Sequence, residues 1–392
     1  MNLAEVRRWA RGQGISAARL RRVYEGALLH VTSRVVQALY RESRLRLPLP
    51  ARPLPFRRLE VTALPAGIRT LPALLRMLRR SLSGTGYARR WAALRPDFEN
   101  SVANVVLNRL LGPRARSLEP AYQGHQYWPF PALRVGPSLQ QVLACSHLTR
   151  KPVALPLLEV DACRLISSRF GSYAAFQRAW SGLKGDTLIP VHPWQLALSP
   201  VVRELLARKL ARVSEHTVKM IPLASQRTCR ILATGYDVKL PVDATLTGEH
   251  RLLYRLNLEN APLVSALAED LLRESGLRTL AFQPDVASIF HREHGSHLGA
   301  IVRPPLKARP GERLVAAINL WTGPHAARSV LRRVPAEKFF ARYCRVLMEG
   351  PVVFYTQWGM AFEPHIQNVY VGLVQHGAVA VVNGANAPEG TR

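Results

Sequence analysis

The chain has 392 residues, of which 48% are hydrophobic and 20% charged, a composition typical of a globular protein of two or three domains and not of a largely disordered one. No apolar run reaches the roughly 18–20 residues that a membrane helix needs, and the first residues lack the apolar core of a secretory signal, so we expect a cytoplasmic protein without membrane association. The four cysteines are widely separated and form no Cys-x-x-Cys pair, which argues against a zinc knuckle or a disulfide framework.

The formal net charge is +28, and the first hundred residues hold 20 Arg, no Lys and 6 acidic residues. This excess suits nucleic acid, a membrane surface, or small polyanions such as nucleotide phosphates and polycarboxylates. A GC-rich coding sequence would also give 47 Arg against 7 Lys without selection for binding, and the basic residues are spread out rather than gathered in a run. We therefore expect no nucleic-acid partner.

The N-terminal part of the chain is predicted to be mainly helical. Apolar residues recur at helical spacing between Leu20 and Leu39, which predicts a helix over Ser16–Tyr40. A proline-rich connector over Leu47–Pro55 ends it. Two more helices are predicted around Leu71–Leu82 and Phe98–Leu111.

After Gly112 the chain changes to short apolar runs that Gly and Pro interrupt, which is typical of strands. The predicted strands are Pro152–Val160, Asp186–Val191, Lys219–Ala224, Val238–Leu246 and Leu314–Leu320. Helices are predicted over Leu263–Ser275, with Pro262 in the first turn, and over Pro335–Gly350, followed by the mostly apolar Val352–Met360. Separate helical and mixed regions indicate an α+β fold.

Four clusters of polar residues interrupt these apolar surroundings. They are Gly124-His125 in a loop that also holds Arg134; His192 to Gln195; Ser225 to Thr228 with Lys239 and Arg251 downstream; and Glu363, His365, Gln367 and Asn368. Arginine, lysine and hydroxyl groups suit phosphate oxygens, and a carboxylate with an amide oxygen suits Mg²⁺. A further arginine and a histidine suit a carboxylate substrate. Together these residue types indicate activation of a carboxylate by a nucleotide.

Each cluster also has a purely structural explanation. A His beside Trp and Pro is typical of a packed core residue, a Ser-x-Arg-Thr step can be a turn or a helix cap, and Lys239 and Arg251 could be ordinary surface residues. Arg303, just after Ile301 and Val302, is a weaker candidate. The Gly-rich nucleotide signatures are missing from the sequence, so a nucleotide site must be built another way. The evenly spaced series His291, His294 and His297 contains a glycine, which favours a loop over a metal site.

In this order the four clusters resemble the aerobactin-synthetase family of siderophore synthetases, which work without a peptide-synthetase assembly line. The family pattern runs Gly-His-Pro-x-His-Pro, Pro-Val-His-Pro-Trp-Gln, Ser-x-Arg-Thr with a later Lys and Arg, and Glu-x-His-x-Gln-Asn. This chain has Gly124-His125, Pro190 to Gln195, Ser225 to Thr228 with Lys239 and Arg251, and Glu363 to Asn368. The similarity extends from about Phe98 to about Leu373.

The resemblance implies an α+β, cupped-hand fold with three regions. They are a helical thumb over residues 1–130, mixed α/β fingers with the nucleotide-binding motif over 131–320, and a palm, the ferric-reductase-like C-terminal region, over 321–392. It also implies a ligase that uses ATP and Mg²⁺ to adenylate a carboxylate of citrate or a related acid. An amine, hydroxylamine or hydroxyl group then displaces AMP. The resemblance leaves the oligomeric state open, with a homodimer as a frequent arrangement in the family.

The resemblance also assigns a role to each matching residue. The predicted ATP contacts are His125, Ser225, Arg227, Thr228, Lys239 and Gln367; the acid contacts are Arg251, His365 and Arg303; the metal ligands are Glu363 and Asn368. Arg251, His365 and Lys239 are the predicted catalytic residues. We expect these residues to stabilise the charge that develops on the acid substrate during the reaction.

Three departures from the family pattern qualify this assignment. Trp128 replaces the second His of the first loop, and Ala132 replaces a basic residue there. The chain runs through Ala378–Val382 into Asn383–Arg392, a polar tail without the family's Arg-Asp pair, whose carboxylate helps to hold the metal. We therefore expect a truncated palm, and the alternative function is an inactive remnant that retains nucleotide or citrate binding.

Overall fold

The computed structural model describes residues 1–43, 47–54, 58–112, 128–149, 151–168, 173–181, 187–322, 334–374 and 379–383. The helices in chain order are α1 (Leu3–Gly12), α2 (Ala17–Ser43), α3 (Leu71–Leu82), α4 (Ala88–Leu111), α5 (Leu139–Ala144), α6 (Tyr173–Ser181), α7 (Pro193–Leu198), α8 (Pro200–Ala207), α9 (Arg255–Ser275), α10 (Ala317–Thr322) and α11 (Ala336–Trp358). The strands are β1 (Ala51–Leu54), β2 (Arg58–Val61), β3 (Arg134–Val135), β4 (Val153–Val160), β5 (Leu165–Ser167), β6 (Leu188–Pro190), β7 (Ala211–Pro222), β8 (Thr228–Ile231), β9 (Asp237–Lys239), β10 (Thr245–Leu246), β11 (Glu249–His250), β12 (Leu280–Phe282), β13 (Ala287–His291), β14 (Gly299–Arg303), β15 (Glu312–Ala316), β16 (Val369–Val374) and β17 (Val379–Asn383). This mixture confirms the predicted α+β class.

The chain divides into two compact units. Unit 1 comprises Met1–Pro113, Tyr122–Ala144 and Ala244–Arg251, and unit 2 comprises Arg114–Ala121, Cys145–Asp243 and Leu252–Arg392. The predicted division into thumb, fingers and palm stays a prediction.

Unit 1 is built on packed helices. Helix α2 lies against α4, and α1 also packs on α4. The N-terminus of α1 has a capping box, in which Asn2 and Glu5 satisfy each other's backbone N–H groups. Strands β1 and β2 form an antiparallel pair, and β3, β10 and β11 form a small three-stranded sheet. The region is therefore mainly helical, as its apolar periodicity predicts.

The largest sheet of unit 2 has eight strands in the order β5-β13-β14-β9-β8-β7-β4-β6, and every neighbouring pair is antiparallel. Every residue of β13 and β14 is buried. Helix α9 packs on these two strands. Its Leu258 and Ala261 form a buried cluster with Phe290 and Ile301 of the sheet.

A second sheet of unit 2 has four strands in the order β12-β17-β16-β15. Strand β17 runs antiparallel to β16 and parallel to β12. Buried side chains of β15, α10, α11 and β16 make one cluster that includes Val315, Leu320, Phe339 and Val371. The described residues of this region thus share a hydrophobic core.

The structure corrects several predicted boundaries. The proline-rich connector contains strand β1, in which Pro53 is the proline; a two-stranded ribbon has only edge strands, where a missing N–H is tolerated. The predicted strand Leu314–Leu320 ends at Ala316 and continues as α10. Helix α9 begins at Arg255, so Pro262 lies inside it. Helix α11 likewise continues through Pro351 to Trp358.

Candidate functional site

The turn between β7 and β8 carries three of the predicted ATP contacts. The Thr228 N–H donates to Ser225 Oγ at 3.1 Å, and the Gln226 N–H donates to the Leu223 carbonyl at 2.9 Å. Gln226 has a φ of 68°, a left-handed conformation that costs a residue with a side chain about 1–2 kcal/mol. The Ser-x-Arg-Thr step is therefore a strained turn, and strain of this kind is often found at functional sites.

A buried histidine lies behind this turn. The Trp194 N–H donates to His192 Nδ1 at 3.1 Å, so the ring proton of the neutral side chain lies on Nε2. Nε2 hydrogen-bonds with the backbone of Gln226 and lies 3.7 Å from Cys145 Sγ. Burial lowers the pKa of His192 to about 3, against the opposing effect of its bond with Gln226. His192 thus stays neutral and supports the strained residue.

Both basic side chains near the turn are buried. Arg227 donates from Nη1 to the Leu252 carbonyl at 3.1 Å, and its own carbonyl accepts from the Leu240 N–H. Lys239 lies on β9, directly opposite Thr228 of β8. Arg227 is 8% exposed and Lys239 is 6% exposed. The structure therefore brings Thr228 and Lys239 together and excludes the ordinary surface explanation for Lys239.

Arg303, a predicted acid contact, is engaged in an ion pair. Its guanidinium Nε binds Asp285 Oδ1, and its Nη2 lies 3.4 Å from Asp285 Oδ2. Burial by itself lowers the pKa of Arg303. The nearby carboxylate of Asp285 raises it, with smaller contributions from Asp237 and Tyr370, and together these outweigh burial, so the net shift of the pKa is upward. Arg303 is thus firmly charged and held by Asp285. Its role toward an acid substrate stays a prediction.

A second ion pair, between a buried aspartate and a partly exposed arginine, lies on the neighbouring strands. Arg230 binds Asp237 through two hydrogen bonds of 2.8 and 2.9 Å, and Gln283 Nε2 lies 3.3 Å from the same carboxylate. Asp237 is opposite Arg303 in the β9–β14 pairing. The charged residues therefore form a continuous network beside Lys239 within the sheet.

The loop over Glu363–Asn368 directly precedes β16 and has hydrogen bonds within itself as well as one from the Ile318 N–H to the Ile366 carbonyl. The Asn368 N–H donates to the His365 carbonyl at 2.8 Å, and Asn368 Nδ2 lies 2.9 Å from His365 Nε2. Burial lowers the pKa of His365, although the charge of Glu363 opposes the shift. Glu363 is exposed, and Gln367 is half-buried. The loop therefore offers a neutral imidazole between a carboxylate and an amide.

The loop and the charged network are close to each other in unit 2. Tyr370, two residues after Asn368, interacts electrostatically with Arg303. Arg303 in turn lies on the strand next to the one that carries Lys239. The loop and the network, which come from separate parts of the sequence, thus approach one another.

Arg251 belongs to unit 1, where it closes the β10–β11 hairpin. Its guanidinium contacts the Leu246 carbonyl, Thr247 Oγ1 and Glu249 Oε2 at 3.2, 2.8 and 2.5 Å. Of the first cluster, Gly124 and His125 lie outside the described residues. Arg134, from the same loop, is buried and bonds Asn104 and Asn108. Its role in the structure is to join the loop to α4.

The histidine series after β13 forms a turn, as its glycine predicts. His291 Nδ1 accepts from the backbone N–H groups of Glu293 and His294, and His297 Nδ1 lies 3.4 Å from Asp243 Oδ2. Within the described ranges, no group of three or more His, Cys, Asp or Glu side chains is placed to hold a metal ion.

Sequence analysis assigned no specific role to Gln195 and did not single out Asp285 or Glu249, yet these three residues shape the clusters. The side chain of Gln195 donates to the His297 carbonyl and accepts from the Asp243 N–H, so it joins α7 to the two chain segments that carry these residues. Asp285 holds Arg303, and Glu249 holds Arg251. Asp285 could have been noticed in the sequence, because it is a charged residue next to an apolar run. The local sequence contains no such signal for Glu249.

The family model named IucA / IucC family matches residues 115–322. The chain belongs to the IucA/IucC family. That range contains the turn, Lys239, Arg251 and Arg303, and it ends before the Glu363–Asn368 loop.

Known relatives agree with this assignment. Staphyloferrin A synthase of Staphylococcus aureus is 22% identical over 297 residues, which are 67% of this chain and 50% of the relative. The petrobactin biosynthesis protein AsbB of Bacillus anthracis matches with a TM-score of 0.80 at 16% identity, covering 94% of this chain and 74% of AsbB. The ATP-bound aerobactin synthetase IucA of Klebsiella pneumoniae matches with a TM-score of 0.65 at 17% identity, covering 80% of this chain and 65% of IucA.

These structural matches confirm the siderophore-synthetase fold. The chain spans about half the length of the curated relatives it matches. Among the helices in the described residues, none has the length and apolar character needed to cross a bilayer.

Proposed function

We propose that this chain acts in siderophore synthesis as an ATP-dependent ligase, which adenylates a carboxylate of citrate or a related acid and condenses it with an amine or a hydroxyl group. The observation that carries the proposal is the Ser225–Thr228 turn, which His192 supports from behind and which lies opposite Lys239. The ATP-bound state of the similar IucA supports ATP as the nucleotide.

In the proposed first step, a carboxylate oxygen of the acid attacks the α-phosphorus of ATP, and the bond to pyrophosphate breaks. The negative charge that accumulates on the phosphate oxygens needs fixed positive partners in a site with little water. Arg227 and Lys239 are buried and can supply those charges, while the hydroxyl groups of Ser225 and Thr228 can donate hydrogen bonds.

In the proposed second step, the nucleophile attacks the acyl carbon, loses a proton, and AMP departs. With Asn368 donating to Nε2, the proton of neutral His365 lies on Nδ1, and in this proposal that N–H would donate to an oxygen of the acid. The lowered pKa of His365 keeps the ring neutral at pH 7, so it acts as a hydrogen-bond donor rather than as a cation. The family resemblance also assigns Arg251 to a carboxylate of the acid.

The loop residues also fit Mg²⁺. Asn368 directs its amide nitrogen toward His365, which leaves the amide oxygen turned away from the ring, and Glu363 exposes its carboxylate. Mg²⁺ is commonly held by one or two carboxylates and keeps several waters, so Glu363 and Asn368 could hold it. When bound, the ion would neutralise phosphate charge.

We further propose the thumb, fingers and palm division for the whole chain, with His125 and Gln367 as additional nucleotide contacts. A reaction that consumes ATP is consistent with a cytoplasmic location. A homodimer stays a prediction.

Hydroxamate trapping with citrate, ATP, Mg²⁺ and hydroxylamine tests the activity. Arg227→Ala should lower kcat/KM by about 10- to 100-fold, because a charge-assisted hydrogen bond to phosphate contributes roughly 1.5–3 kcal/mol. Arg212→Ala is the matched control, since Arg212 is an exposed arginine of the same sheet paired with Glu159. Equal activity of Arg227→Ala and wild type would refute the proposal. ATP binding that requires Arg227 but yields no hydroxamate would instead assign the chain a binding role alone.

A further inference from the structure

The hairpin that carries Arg251 has a fixed tip. Its two turn residues, Thr247 and Gly248, have φ values of 52° and 90°, the left-handed pair that a tight antiparallel hairpin requires. The indole ring of Trp128 lies against Gly248 so closely that any β-carbon at this position would overlap it. The position of the following residue, Glu249, is therefore set by the backbone.

Among the described residues, the guanidinium of Arg251 has three hydrogen-bond partners, all in this hairpin. Leu246 accepts from Nε through its carbonyl, Thr247 accepts from Nη2 through its hydroxyl, and Glu249 accepts from Nη1. The first two contacts are neutral and orient the guanidinium plane. Glu249 supplies the only charge among them, so it is the partner that neutralises Arg251.

The two ends of this ion pair differ in exposure. The side chain of Arg251 is 20% exposed, whereas that of Glu249 is 59% exposed. Glu249 can therefore rotate into water at small cost, while Arg251 keeps its position through Leu246 and Thr247. The buried pair of Arg303 and Asp285 is the opposite case, because separating it would leave an unpaired charge away from water.

We infer that Glu249 competes with the acid substrate for Arg251 and so weakens the binding of polycarboxylates. The inference rests on the proposed function, in which Arg251 is the anchor of the acid. Glu249 presents the same group as the substrate, a carboxylate, at an N–H group of the same guanidinium. Substrate binding must displace Glu249 or accept its negative charge nearby, and either alternative lowers affinity. The effect matches an exposed ion pair, roughly two- to fivefold.

The test measures citrate binding by calorimetry and the half-saturating citrate concentration in hydroxamate trapping at saturating ATP. Glu249→Gln, which keeps the size of the side chain and removes its charge, should lower both the citrate Kd and the half-saturating concentration by about two- to fivefold. Glu60→Gln is the matched control, because Glu60 forms an exposed ion pair with Arg52 at the same 2.5 Å distance in the same unit. It should change neither value. Arg251→Ala should weaken citrate binding by more than tenfold.

Unchanged or weaker citrate binding by Glu249→Gln would overturn the inference. Citrate binding that is equal in Arg251→Ala and wild type would remove Arg251 as the anchor and the inference with it. Arg251-dependent binding that tightens in Glu249→Gln without any hydroxamate would sustain the inference and refute the proposed activity. Failure of both the wild type and Glu249→Gln to bind citrate would overturn both.

Discussion

The Ser225–Thr228 turn and the Glu363–Asn368 loop carry predicted ligands for the same nucleotide, but they are held in different ways. In the turn, Gln226 and Arg227 are 3% and 8% exposed, and the fully buried His192 bonds the turn from behind. None of the loop residues Glu363 to Asn368 is fully buried; Asn368 bonds His365 within the loop, and the Ile366 carbonyl accepts from the Ile318 N–H outside it. Burial thus dominates at the turn, whereas the loop is more exposed and relies in part on local bonds.

This difference predicts different consequences of substitution. A change behind the turn should disturb both folding and nucleotide affinity, because the same buried contacts serve both. A change in the loop should alter a ligand contact with little effect on folding. The following experiments test this contrast, beginning with the largest expected effect.

Removal of the carboxylate that neutralises Arg303 should have the largest effect on stability. Asp285→Ala leaves a buried cation unpaired, so we expect the free energy of unfolding to fall by about 3–5 kcal/mol. Urea denaturation measures it, with Asp161→Ala at an exposed position as the control. A loss below about 1 kcal/mol would show that the network does not support the sheet.

Replacement of the histidine behind the turn should weaken ATP use. His192→Asn can still accept from the Trp194 N–H but no longer reaches the Gln226 backbone, so the half-saturating ATP concentration should rise about tenfold or more. The half-saturating citrate concentration should change much less. If both concentrations rose equally, His192 would have only a general structural role.

The pKa of His192 also predicts a dependence of stability on pH. A folded-state pKa of about 3, below the ordinary value of 6.5, means that the unfolded chain binds a proton that the folded chain does not. Titration of His192 therefore leaves the free energy of unfolding at its full value above pH 6.5 and lowers it as the pH falls from 6.5 toward 3. Urea denaturation should show that the free energy of unfolding falls less between pH 7 and pH 5 in His192→Asn than in the wild type. Identical losses would contradict the assignment.

The smallest effect is expected in the loop. Asn368→Ala removes an oxygen ligand and the bond to His365, so the half-saturating Mg²⁺ concentration should rise about three- to tenfold. The free energy of unfolding should stay within about 0.5 kcal/mol of wild type. Gln357→Ala, at an exposed position near the end of α11, is the control. A large fall in the free energy of unfolding in Asn368→Ala would show that the loop, like the turn, supports the fold.

Several features of the fold were predictable because they depend on short-range physics. The apolar spacing that predicts α3 matches the observed Leu71–Leu82, and the apolar run before Asp161 matches β4. Predictions at prolines failed where packing overrides local preference. Both α9 and α11 continue through a proline, at positions 262 and 351, and Pro262 is buried in the helix.

The sequence by itself determined the α+β class and, through four ordered motifs, the family resemblance that the comparison with the family model confirmed. Motif residues are recognisable because a ligand contact restricts the residue type at a fixed spacing. Only the tertiary structure decided which partners those residues have. Asp285 beside Arg303, Glu249 beside Arg251 and His192 behind Gln226 are set by strand register, hairpin geometry and burial. The first and third pairs depend on contacts between distant segments, and the second depends on the conformation of the hairpin, which no local pattern encodes.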